Sequence, residues 1–363
     1  MSASGSSPDA SLTQDESFVP TSLKGLTYPL GNFGPAPGTL HWLDGGVRWA
    51  RITIPMSLQH INCWVLDDDG GVAIVDTGLN LPDCRTNWEA ILAGDLAGVD
   101  VTRIVCTHLH PDHIGLAGWF ARRFDAAVWM TRGEWLTAQM LRADARDAVP
   151  DEVNAMRRAA GWSEAQVEAA AAEGWGRMRT IVHRLPLGYR RIREGELLNF
   201  GSESWRVVTG CGHSPEHACL LNETAGMLIA GDQVLPRISS NVSLGATEPE
   251  ADPLGDWLDS IEKLLGLPDD LLVLPAHGEP FHGLHVRLRA LRDEHLERLD
   301  DLAGFLVEPR RAVDCFGQLF RRTIDDSVLA MATGETLSHL RRLEVAGRAV
   351  RETQDGVSWY RAA

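Results

Sequence analysis

A chain of 363 residues, 44% of them hydrophobic, is long enough for one large domain and a small second one around an ample core. Its formal charge of −16 argues against a surface built generally for phosphate backbones, although a local basic groove is compatible with it; small neutral or cationic substrates fit this balance better. Six cysteines stand singly, with no CxxC pair, which fits reduced thiols in a cytosol better than a disulfide framework.

Residues 1–25 are rich in Ser, Asp, Thr and Pro, lack an apolar segment or a basic cluster, and read as a disordered tail, neither a signal nor a transit peptide. No apolar run approaches 18 residues, so no membrane span is expected, and the expected location is cytoplasmic. From His41 the pattern predicts short strands. Val47 to Ile52 alternates, Ile61 to Leu66 follows, and Asp67-Asp68-Asp69-Gly70-Gly71 supplies a hairpin turn before the apolar run Val72-Ala73-Ile74-Val75. Helix-spaced Trp88, Ile91 and Leu92 predict a helix over 87–96, and a second is predicted over 114–124.

Between those helices lies Thr107-His108-Leu109-His110-Pro111-Asp112-His113, directly after the buried-strand run Ile104-Val105-Cys106. Three imidazoles and a carboxylate within six positions form a candidate metal cluster, with a donor set suited to zinc and neighbouring divalent ions. In extended chain His108 and His110 point the same way, while Asp112 and His113 need a second direction that a turn at Pro111 can supply. Two directions suggest two metals. A histidine-rich loop without a ligand is the competing reading, but such a cluster at a strand end costs stability unless it binds something.

His108-x-His110-x-Asp112-His113 resembles the signature of the metallo-β-lactamase-fold hydrolases. That resemblance implies a four-layer αββα sandwich, α+β in class, with the remaining ligands as single residues at the ends of later strands. Candidates stand in the expected order: Arg206 to Thr209 leads to Gly210-Cys211-Gly212-His213, Met227 to Ala230 to Gly231-Asp232, and Leu271 to Leu274 to Pro275-Ala276-His277-Gly278. Val72 to Val75 ends at Asp76-Thr77-Gly78, similar to the family's first motif, where the Asp holds a ligand imidazole instead of a metal. The resemblance covers roughly residues 40–283. It implies one metal on His108, His110 and His213, another on Asp112, His113 and His277, and Asp232 between them. His60 and His217 are weaker candidates for substrate contact, and His282, His285 and His295 read as surface histidines. Cys211, beside a candidate ligand, reads more simply as a small packing residue.

Within the hydrolase domain, expected over 26–283, residues 131–185 are helical and rich in Ala, Arg, Glu and Trp, with the capping-box pattern Ser163-Glu164-Ala165-Gln166. This insertion is expected over the metal edge, as a lid or otherwise as a packing layer, with Trp135, Trp162 and Trp175 as candidate pocket walls. Residues 284–363 form the expected second domain: a long charged helix, two shorter helices and a hairpin turning at Gln354-Asp355-Gly356. The order resembles a winged helix, yet from Phe281 to Ala363 13 Arg and Lys are matched by 13 Asp and Glu, without the basic footprint of a nucleic-acid binder. Packing or homodimerisation is the expected role.

The chemistry implied is metal-assisted hydrolysis. Two divalent ions, zinc by expectation, sharing a carboxylate can share a water whose pKa falls from ~15.7 toward ~7, giving a bridging hydroxide nucleophile; Asp112 is the candidate to orient it. A small ester, thioester or lactone is the expected substrate, as in glyoxalase II and the β-lactamase-like thioesterases. The alternatives are an RNA-processing endonuclease of the same fold and, less favoured, a metal-binding regulatory protein without turnover.

Overall fold

The structure, a computed structural model, describes residues 18–55 and 58–363; residues 1–17, most of the expected tail, lie outside the described residues. A ribbon of β1 (Thr21–Leu23) and β2 (Leu26–Tyr28) reaches into the segment expected to be tail, and Thr27 exchanges backbone hydrogen bonds with His282. A seven-stranded sheet then runs in sequence order through β3 (Leu40–Trp42), β4 (Val47–Thr53), β5 (His60–Asp68), β6 (Gly71–Val75), β7 (Val101–Val105), β8 (Ala127–Met130) and β9 (Arg190–Arg191). It is antiparallel to β6 and parallel beyond it, because helices intervene from there on. The second sheet, also in sequence order, comprises β10 (Leu197–Phe200), β11 (Glu203–Gly210), β12 (His217–Asn222), β13 (Met227–Gly231) and β14 (Leu272–Pro275).

Side-chain alternation explains the layering. From β5, Ile61, Cys63 and Val65 enter a cluster with α1 (Pro82–Ala93), α2 (Pro111–Ile114) and α3 (Ala117–Phe124), whereas Trp64 and Leu66 face the second sheet. The inter-sheet layer holds Trp49 against Trp64, ring centroids 6.0 Å apart, with Phe200, Trp205 and Ile229; each such buried side chain contributes roughly 1.5–3 kcal/mol. From β13, Leu228 and Ala230 point outward to α8 (Pro253–Leu264). This is the αββα sandwich. α1 starts five residues before its expected start at 87, because Pro82 occupies the first turn, where its fixed φ suits a helix and its missing N–H is not needed.

The insertion forms α4 (Arg132–Ala143), α5 (Asp151–Ala159), α6 (Glu164–Ala172) and α7 (Arg177–Ile181), with both halves of the Ser163–Gln166 capping box made. After β14 come α9 (Leu284–Phe305), a 3-10 turn leading into α10 (Phe316–Leu319), α11 (Leu329–Val345) and a hairpin of β15 (Ala349–Gln354) and β16 (Val357–Ala362). Asp355 and Gly356 both take positive φ, 51° and 80°, as a tight two-residue hairpin requires. Leu284, Leu288 and Leu302 of α9 and Leu340 of α11 share one apolar cluster with β13 and α8, so the core continues across residue 284. His295, expected at the surface, is buried in that layer because its rings' partners come from α11 and the segment after Asp232. Among the described residues no helix is long and apolar enough to cross a membrane.

Candidate metal centre

All seven expected ligands are brought to one edge of the sandwich, each just past the C-terminal end of a strand. His108 and His110 lie in the loop after β7, Asp112 and His113 in α2, His213 between β11 and β12, Asp232 directly after β13 and His277 after β14. Pro111 sits in the first turn of α2, so the chain passes from extended backbone at His110 (φ −61°, ψ 146°) straight into helix; this separates the two pairs of side chains. Donor atoms of His108, His110, His213 and Asp232 lie within 4.8 Å of one another, and so do those of Asp112, His113 and His277. Asp232 faces both groups: Oδ2 is 3.5 Å from Nε2 of His113 and 3.5 Å from Nε2 of His213, and Oδ1 is 3.6 Å from Nε2 of His277.

The imidazoles are oriented from behind. His113 donates Nδ1–H to Asp76 (2.7 Å), His213 to the carbonyl of Asn241 (2.7 Å) and His277 to the carbonyl of His60 (2.8 Å), which leaves Nε2 as the free nitrogen of each. The Thr107 hydroxyl donates to Asp76 and lies 3.1 Å from Nδ1 of His108. Nε2 of His108 then meets Nδ1 of His110 at 2.8 Å and Nε2 of His213 at 3.3 Å. Nε2 of His113, Nε2 of His277 and Oδ1 of Asp232 are buried without any hydrogen-bond partner. Buried donor atoms that converge without partners are costly unless a ligand satisfies them, and nitrogens flanked by carboxylates are the donor set of a hard-to-borderline divalent cation. The residues present fit two such ions.

The charges agree. Burial drives the imidazoles of His108 and His110 toward the neutral form, that of His110 to about 3. Burial also opposes protonation of His113, but Asp76, Asp232 and Asp112 outweigh it and hold that imidazole well above the ordinary range. Asp112 and Asp232 stay ionised despite burial, through His113 and His277. Three acidic side chains, Asp76, Asp112 and Asp232, are each 8% exposed or less in this one region, a concentration of acidic groups that bound cations would help to balance.

The remaining candidates take supporting positions. Asp76 adopts left-handed backbone, φ 60°, uncommon for a non-glycine residue, and spends both oxygens on Thr107 and His113. His60 contributes its carbonyl; its ring, lowered to about 4 by burial and by Arg51, is not among the convergent donors. His217 is fully buried, stacks on His108 at 4.8 Å and accepts from the backbone N–H of Asp232 at 3.1 Å, so it positions the carboxylate and has no access to substrate. Gly231 makes room for it: a Cβ there would lie 2.5 Å from Nε2 of His217.

Glu134, on α4, escaped the sequence reading. It is fully buried and accepts from Leu109 N (2.8 Å), Ser214 Oγ (2.6 Å) and Glu216 N (2.7 Å), tying the His108–His110 loop to the His213 loop. The insertion therefore reaches the metal edge through α4. Thr137 lines a 410 Å³ cleft beside His213, Cys211 and Leu244. Residues 243–245 and Thr247 also wall an apolar cavity of 340 Å³ that contains Trp162, Trp175, Met156 and Leu141. Trp135 stacks on Tyr189 in the core instead (4.5 Å, 13°), so of the three tryptophans only Trp162 and Trp175 are pocket walls.

Residues 57–277 match the family profile of the metallo-beta-lactamase superfamily. The chain belongs to that superfamily. Residues 299–363 match a second profile, the metallo-beta-lactamase-like C-terminal domain. A crystal structure of a beta-lactamase domain protein from Burkholderia ambifaria superposes with a TM-score of 0.85 at 40% identity, covering 93% of this chain and 98% of that one. A probable metallo-hydrolase of Bacillus subtilis is 26% identical over 325 residues, 85% of this chain and 95% of its own. A hydroxyacylglutathione hydrolase of Francisella tularensis subsp. novicida is 29% identical over 103 residues, 28% of this chain and 39% of that protein. This chain is a metallohydrolase of the metallo-beta-lactamase fold, with a metal-binding His and Asp cluster at its sheet edge.

Proposed function

We propose that this member of the metallo-beta-lactamase superfamily hydrolyses an ester, thioester or lactone of a small molecule at a dinuclear zinc site. One observation carries the reading: a single carboxylate, Asp232, faces two complete donor groups, and in the group of Asp112, His113 and His277 both ring Nε2 atoms are buried without a hydrogen-bond partner. His108, His110 and His213 would hold one ion, Asp112, His113 and His277 the other, and the pair would supply Lewis acidity toward a carbonyl oxygen and an acidified water. Asp112, ionised and with Oδ2 3.3 Å from Nε2 of His277, orients the attacking water as a hydrogen-bond acceptor. Thr107 and Asp76 keep the rings of His108 and His113 from rotating, so the site is preorganised before substrate arrives. The apolar cavity beyond residue 243 takes the acyl portion, with Trp162 and Trp175 against it. The partial likeness to a hydroxyacylglutathione hydrolase supports a thioester within this class. The winged-helix-like order of the C-terminal elements, with balanced charge, supports a packing role and not nucleic-acid binding.

The test is elemental analysis of the purified protein together with a panel of acyl thioesters, lactones and short RNA. The expected result is two zinc ions per chain and turnover of a carbonyl substrate. Cleavage of RNA with no activity toward any carbonyl compound would replace this reading with the nuclease one.

A further inference from the structure

Between Asp232 and α8 the chain runs through residues 233–252 without helix or strand. This irregular segment starts at the carboxylate that faces both donor groups, and it supplies the Asn241 carbonyl that orients His213. Backbone outside a ladder keeps its place only through tertiary contacts. Several of those contacts come from the C-terminal helices. Arg287 of α9 donates to the carbonyls of Leu235 (2.6 Å) and Ile238 (2.8 Å); Ser239 Oγ meets Nε2 of His295 at 3.3 Å. From α11, Glu335 Oε2 accepts from Asn241 Nδ2 at 3.1 Å, and the Gly334 carbonyl accepts from Leu244 N at 3.0 Å. Arg298 of α9, 3.5 Å from the other oxygen of Glu335, holds that carboxylate in turn. Inside the segment the Ser240 hydroxyl closes back on the carbonyl of Asp232.

We propose that the C-terminal helices are a positioning element for the metal centre: Glu335 acts through Asn241 to fix the imidazole of His213, and so sets the affinity of the site formed by His108, His110, His213 and Asp232. Glu335 and Asn241 are positioning residues, since neither donor group includes them. The Asn241 amide anchors the residue whose own carbonyl fixes the tautomer of His213, so loss of the anchor frees the ring to leave its metal-facing orientation. This rests on the reading of His213 as a ligand, and the variants below separate the two.

The experiment titrates the cobalt(II)-loaded full chain with a chelator of known affinity, following the visible spectrum of the metal, for wild type, Asn241→Ala, Glu335→Ala, Glu335→Gln, His213→Ala and Arg348→Ala. Asn241→Ala and Glu335→Ala are expected to weaken one of two sites about tenfold, and non-additively when combined. Glu335→Gln keeps a side-chain oxygen for Asn241 and should retain wild-type affinity. Arg348→Ala, which breaks only an ion pair with Asp300 in the same C-terminal region, should leave the spectrum and affinity unchanged. If Glu335→Ala does not fold, Asn241→Ala carries the test, because it leaves the backbone carbonyl in place. Wild-type affinity in folded Asn241→Ala and Glu335→Ala, with metal loss in His213→Ala, overturns the positioning role while leaving the ligand assignment intact. Normal metal binding by His213→Ala overturns both.

Discussion

Two groups of buried histidines in this molecule differ in what their nitrogens face. At the metal centre, ring nitrogens converge on one another and on Asp112 and Asp232, and two of them have no partner within the fold. In the C-terminal layer, Nδ1 of His295 lies 3.2 Å from Nε2 of His339, His295 also meets Ser239, and His339 donates to the Glu335 carbonyl at 2.8 Å. There every nitrogen is satisfied, no carboxylate faces the rings, and burial pushes them down to about 3 and about 4. Burial of imidazole is therefore common to structural and ligand clusters. Unpartnered, convergent nitrogens beside carboxylates mark the second kind.

The strongest way to break that contrast is Asp232→Ala. It removes the carboxylate between the two groups, so second-metal occupancy should fall and kcat should drop roughly 10²-fold or more, while the sandwich, built from apolar strands, stays folded. Metal analysis and steady-state kinetics on the folded variant decide it, and two retained metals with near-normal turnover would refute the assignment. Asp76→Asn should act at one remove. It weakens the acceptor behind His113, and metal affinity in chelator competition is expected to fall about 10- to 100-fold with less effect on thermal stability.

The C-terminal pair predicts a pH effect of opposite character. Its folded-state values lie below the ordinary histidine value near ~6.5. Between about pH 6.5 and 4 the unfolded chain binds protons that the folded chain rejects, so stability falls as pH drops through this window and is fully present above it. For His339 the loss is at most about 3 kcal/mol. Urea midpoints of metal-free wild type should therefore fall more steeply with acid than those of His339→Gln; parallel curves would show that the pair does not titrate on unfolding. Cys211→Ser should do least. Burial raises its thiol and its Sγ makes none of the polar contacts that hold the site, so kcat and metal content should stay within about twofold, and a larger change would place the thiol in the chemistry.

The sequence by itself indicated the strands that lead to the site and the seven candidate ligands that the structure gathers at one edge, for a physical reason visible in each case. Apolar runs such as Val72–Val75 and Leu228–Ala230 have no use except in a buried sheet, and a polar His or Asp directly after such a run stands where the strand leaves the core. His108-x-His110-x-Asp112-His113 was legible because its donors are neighbours in the chain. What orients them was not. Glu134 reaches Ser214 across 80 positions, and nothing in the residues around it distinguishes it from a surface glutamate on an amphipathic helix. The acceptors behind His213 and His277 are backbone carbonyls, of Asn241 and His60, which every residue type possesses, so no side chain could announce them. His295 looked like a surface histidine because its partners, Ser239 and His339, lie 56 and 44 positions away. Candidate ligands are side chains at strand ends, and their positions can be read from sequence. The second partner of each ring, and the packing of α9 and α11 against the segment after Asp232, depend on contacts between distant parts of the chain, and only the tertiary structure decided them.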